Sequence, residues 1–90
     1  MVLDWGVDKA KANLTKHGVP FEAAEGFDFS TAFETIDDRF DYGEERWMSI
    51  GYIESRLHVL VYIRRGDKTR VISLRRANAR ERKAYAQAKA

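Results

Sequence analysis

The sequence predicts a single α+β domain: two N-terminal helices, an antiparallel β-sheet of about three to five strands, and a C-terminal helix. Three observations predict it. Apolar residues recur at helical spacing from Val7 to His17. Three alternating runs rich in β-branched and aromatic residues follow between Arg46 and Arg75, separated by short polar turns. The stretch from Ala79 to Ala90 then consists almost wholly of strong helix formers. A chain of 90 residues without repeats, linker or low-complexity segment is the length of one domain.

Val2 to Trp5 alternates weakly, as a short edge strand does. In the first helix Val7, Ala10 and Leu14 share one side, and Lys9, Asn13 and Lys16 another. Gly18 is placed to end it, with Lys16 and His17 in the last turn, where the helix dipole favours cations. Pro20 suits the first position of a second helix, roughly residues 20–26, which buries Phe21, Ala24 and Phe27. Thr31 to Ile36 reads as a brief strand, and Asp37 to Glu45 as an acidic loop. Strands are expected over residues 46–53, 57–64 and 69–75. If Arg65 and Lys68 flank the last turn, Val59, Val61 and Ile63 face Leu74, Ile72 and Arg70 on the core side. The opposite face then carries His58, Leu60, Tyr62 and Arg64 with Arg75, Ser73 and Val71, a mixture suited to a site. Trp5, Trp47, Phe21, Phe27 and Phe33 belong to the core. Asn78 followed by Glu81 has the two halves of a capping box.

The net charge of +2 conceals a strong polarity. Residues 22–45 hold nine acidic side chains against Arg39 alone, and residues 64–90 hold ten basic ones against Asp67 and Glu81. Either the two halves neutralise each other in the fold, or a basic face stays open for nucleic acid or an acidic partner. Five arginines (Arg70, Arg75, Arg76, Arg80 and Arg82) crowd the junction between the last strand and the last helix. Packing does not require so many guanidinium groups; phosphate recognition does. The absence of cysteine excludes disulfides and thiolate metal sites, and two histidines among scattered carboxylates do not form a metal site. No apolar run approaches about 18 residues, and the first residues are unlike a signal peptide, so a cytoplasmic protein is expected. Phosphate-binding loops, nucleophile elbows and zinc-protease motifs are missing.

Trp5, the block Lys9-Ala-Lys-Ala-Asn-Leu-Thr-Lys-His-Gly18, and Phe21-Glu-Ala-Ala24 form a recognisable series. It continues through Gly43-Glu-Glu-Arg46, Val61-Tyr62, Arg64 and Gly66, and Arg70-Val-Ile-Ser-Leu-Arg-Arg-Ala77 to Arg80-Glu81 and Tyr85. Over nearly its whole length the chain resembles the BrnT family of bacterial type II toxin–antitoxin systems. It departs from the family at Gly6, where aspartate is common and would cap the first helix, and at Leu74, where a small residue is usual. The resemblance implies a RelE-like ribonuclease fold and a metal-independent endoribonuclease, without cofactor, that arrests translation. It also implies a BrnA-type antitoxin with a ribbon-helix-helix domain, so that contact with DNA is indirect.

Cleaving RNA without metal needs a base for the 2′-hydroxyl, cations for the phosphorane and an acid for the leaving oxygen. Arg64, Arg76 and Arg80 are candidates for the cationic task, with Arg75 as a further phosphate contact. Histidine titrates near neutrality, which makes His17 the candidate for proton transfer; its alternative is to cap carbonyls and pack beside Leu14. Glu81 is a candidate acid–base group, although the capping box already accounts for it. Lys9, Lys11 and Lys16 are candidates for holding RNA, and Tyr62 for stacking a base. The competing function is a non-catalytic nucleic-acid-binding or protein-interaction domain that uses the same charge.

Overall fold

The computed structural model describes residues 2–39 and 41–90. Its centre is a five-stranded sheet of β1 (Val2–Asp4), β2 (Phe33–Asp37), β3 (Arg46–Ile53), β4 (Arg56–Arg65) and β5 (Lys68–Arg76), in spatial order β1-β5-β4-β3-β2. The strands from β2 to β5 are antiparallel neighbours, as short turns between them require, and β1 lies parallel beside β5. Two helices, α1 (Val7–His17) and α2 (Ala79–Ala88), complete the α+β domain. The expected loop 37–45 includes Phe40, which lies outside the described residues.

The N-terminal region holds one α-helix rather than two. Phe21–Gly26 is a 3-10 segment closed by the bonds Ala23 N–H to Pro20 O (3.0 Å) and Phe27 N–H to Ala24 O (3.1 Å). Six residues between Pro20 and an extended Phe27 are too few to propagate an α-helix. Its burial was anticipated nonetheless: Phe21, Ala24 and Phe27 are all core residues. They pack with Val19, Leu60, Tyr62, Val71 and Leu74, and Trp5, Ala10 and Trp47 border the cluster. Gly51 lets this segment approach the sheet, since a Cβ there would lie 2.7 Å from Phe27 Cζ. On the other face of the sheet Ile50, Val59 and Ala77 pack with Phe33, Met48, Val61 and Tyr85.

One extra residue changes the expected register of the last hairpin. Near the turn the pairing is as anticipated, with Tyr62 opposite Val71, Ile63 opposite Arg70 and Arg64 opposite Thr69. Between Val61 and Tyr62 the register shifts, leaving Ile72 as the extra residue of a β-bulge. Beyond it Leu60 faces Leu74 and Val59 faces Arg75. The bulge turns Val71 and Leu74 to the same side, and both are fully buried there with Leu60 and Tyr62. The face expected to hold a site is therefore the main core.

The termini of the helices follow the sequence. Gly18 adopts φ 72° and its N–H closes α1 on Leu14 O at 2.8 Å. Gly6 begins α1 without a side-chain cap. At α2 the capping box is complete: Glu81 N–H donates to Asn78 Oδ1 (2.8 Å), and Asn78 N–H to Glu81 Oε1 (2.9 Å).

Candidate nucleic-acid interface

β1 pairs only with residues 68–70, so the rest of β5 is left without a neighbouring strand on that side. Helix α1 closes the gap with one side chain. Asn13, 7% exposed, accepts a hydrogen bond from Leu74 N–H (3.1 Å) and donates to Leu74 O (2.7 Å) and Val19 O (3.0 Å). Covered in this way, the edge offers no backbone for pairing with another chain at that point. Above it, Lys9, Lys16 and His17 line a shallow groove of about 180 Å³ with Ala12, Asn13, Ile72 and Ser73. Partial burial of His17, and then the positive charges of Lys16 and Arg75, hold its pKa below the usual histidine range. Its imidazole is therefore neutral near pH 7 and able to accept a proton. Lys11 points elsewhere, into a mainly apolar hollow with Val7, Ala10, Leu14 and Phe21.

The arginines divide into two groups. Arg70 pairs with Asp4 (2.7 Å), Arg64 with Glu34 (2.7 Å), Arg65 with Glu44 (2.6 Å) and Arg39 with Asp37 (2.8 Å). Arg75 forms a bidentate pair with Glu81, both bonds at 2.7 Å, which draws the Glu81 pKa down. Arg46 lies over the ring of Tyr42 at 3.8 Å. Arg56, Arg76, Arg80 and Arg82 have no carboxylate partner among the described residues. Three of these four line one cavity of about 400 Å³, where Arg56, Arg76 and Arg82 meet Tyr52, Ser55, Leu57 and Ala77. Arg82 is held there by a bond from Nη1 to Ala77 O (2.9 Å), and Arg80 is exposed in the first turn of α2.

The structure thus brings Lys9, Lys16 and His17 together in one concavity and places Arg76 in another, a few residues along β5. Arg64 is remote from both in the pairing of the sheet and is engaged by Glu34. Tyr62 has no surface to offer a base: it is fully buried, and its hydroxyl bonds Ser49 Oγ (2.9 Å) and the Glu34 carboxylate. Burial pushes its pKa well above the usual tyrosine range. Arg56 drew no attention in the sequence, although the short turn after β3 and the return of β5 together bring it beside the start of α2.

A family model described as ribonuclease toxin, BrnT, of type II toxin–antitoxin system matches residues 5–81. The chain belongs to the BrnT family. Membership makes it a ribonuclease toxin of a type II system, a class that acts on RNA and is held in check by a protein antitoxin. No curated protein matches the chain. The BrnT match spans every residue of the groove and, apart from Arg82, every residue of the arginine-lined cavity. Among the described residues no three histidine or carboxylate side chains form a group that could hold a metal ion, and no helix is long and apolar enough to cross a membrane.

Proposed function

We propose that this BrnT toxin is a metal-independent endoribonuclease of the cytoplasm with a RelE-like fold. In this reading it arrests translation and is neutralised when a BrnA-type ribbon-helix-helix antitoxin covers its basic surface. One observation carries the proposal: a neutral, partly buried His17 sits with Lys9 and Lys16 beside the end of β5 that keeps unneutralised arginines. Lys9 and Lys16 hold the RNA backbone in the groove, and Lys11 lies outside it. His17 takes the 2′-hydroxyl proton as the 2′-oxygen attacks phosphorus. Arg80 stabilises the phosphorane charge, with Arg75, whose charge acts on His17, beside it. The P–O5′ bond breaks, leaving a 2′,3′-cyclic phosphate, and the 5′-oxygen takes a proton from solvent or from the Lys16 ammonium. Glu81 acts by orienting Arg75, and Arg64 supports the sheet through Glu34.

The test is a time course of end-labelled RNA in EDTA. Fragments ending in 2′,3′-cyclic phosphate are expected, and His17→Ala should slow their appearance by roughly 10²–10⁴-fold. Because the His17 pKa is lowered, kcat/KM should climb with pH through the acidic range and level off before neutrality. Intact RNA with a salt-sensitive gel shift would instead identify a binding domain without chemistry.

A further inference from the structure

We infer that the cavity between the β3–β4 turn and the start of α2 is an RNA subsite in which Arg56, Arg76 and Arg82 grip a backbone phosphate and Tyr52 receives a neighbouring base. It rests on RNA being the substrate and adds a place where the strand is held outside the histidine groove. The first support is the selectivity of the charge pairing. Of ten arginines, three of the four that have no ion pair or ring partner among the described residues line this one cavity. Among the described residues no carboxylate lines it. Three guanidinium groups meeting without a counter-charge repel one another, and an anion relieves that repulsion.

The second support is the way the groups are held. They come from the start of β4, the end of β5 and the first turn of α2, so the fold itself converges them. Arg82 spends one donor on Ala77 O and keeps the rest of its fork for a ligand. Ser55 adds a hydroxyl to the rim. Tyr52 is 37% exposed, and its ring is fixed edge-on by Tyr85 (5.6 Å, 86°), whose own hydroxyl is anchored on Thr31 O (2.9 Å). A tethered, partly exposed ring beside a cationic hollow is a stacking platform with its phosphate clamp attached. Ser73 of the groove and Arg76 of the cavity are separated by about 10 Å along β5, so one strand of RNA can occupy both.

The experiment is fluorescence anisotropy of a labelled, single-stranded 2′-O-methyl RNA, which lacks the attacking hydroxyl, titrated at several salt concentrations. Arg56→Gln should weaken binding and flatten the plot of log affinity against log salt by about 0.7; adding Arg76→Gln should bring the loss to about 1.4. Tyr52→Leu should weaken binding about tenfold with the slope unchanged. Arg65→Gln removes the same charge elsewhere and should have the smaller effect. An equal loss in that control would mean that net charge alone is at work, and the inference fails. Arg56→Gln protein that binds RNA as wild type does while still cutting it overturns the subsite and leaves the ribonuclease reading standing. Weakened antitoxin binding with unchanged RNA binding would make the cavity a dock for an acidic protein segment instead. Wild-type protein that neither binds nor cuts RNA would sink both proposals.

Discussion

The two ends of the sheet solve the same electrostatic problem in opposite ways. At the end formed by the β4–β5 turn and the 37–45 loop, each of four arginines has a carboxylate: Asp4, Glu34, Asp37 or Glu44. At the other end, where β5 runs into α2, only Arg75 among the described residues has an ion pair, and Arg56, Arg76, Arg80 and Arg82 have none. The acidic middle of the chain therefore does neutralise basic residues, but almost all at one end. Net charge is low while local charge is not, and the open end is where an anionic strand finds its complement.

The contrast breaks first if the open end loses its scaffold. Asn13→Ala leaves Leu74 N–H and C=O buried without partners, and should cost about 2–4 kcal/mol in a urea melt. Next in size is Glu81→Ala, which removes the acid paired with Arg75 at that end and half of the capping box. It should cost about 1–2 kcal/mol at pH 7. The folded pKa of Glu81 lies below its ordinary 4.5, so this contribution is complete above that value and disappears as pH falls through the lower one. Melts of wild type and variant should accordingly converge in acid.

At the closed end the Arg65–Glu44 pair is exposed, its side chains 54% and 39% accessible. Glu44→Gln should leave the melting temperature unchanged and release Arg65, steepening the salt dependence of RNA binding by about 0.7. A marked loss of stability there would show that these pairs hold the fold together as well as masking charge. The smallest effect belongs to Gly6→Asp, where the new Cβ would stand 3.4 Å from Arg70 Nη2 and the carboxylate would cap α1. A gain of only a few tenths of a kcal/mol is expected by thermal melt.

Local signals in the sequence were sufficient for most of the elements, but not for the second expected helix, which is a 3-10 segment. Helical spacing placed α1, the Asn78 and Glu81 pair placed the start of α2, and short polar turns made the central strands antiparallel. Long-range choices were not legible. A bulge adds one residue without disturbing apolar composition, so Ile72 gave no sign that it would turn Leu74 from the side of Val59 to that of Leu60 and Tyr62. Nor does a carboxylate announce its arginine: Glu34 and Arg64 are 30 residues apart and meet only because β2 lies across β3. The arginine crowd was visible as a crowd, but which members would be neutralised depended on pairings that the sheet alone decides.

The amide of Asn13 makes the separation of helix and strand a matter of one side chain's length. Its two halves grip one residue of β5, so α1 cannot slide or lift without breaking both contacts. The width of the groove that holds His17 is therefore a fixed gauge rather than an average over loose positions, the condition under which a proton acceptor meets its substrate without prior rearrangement. A single added methylene, Asn13→Gln, would reset that gauge.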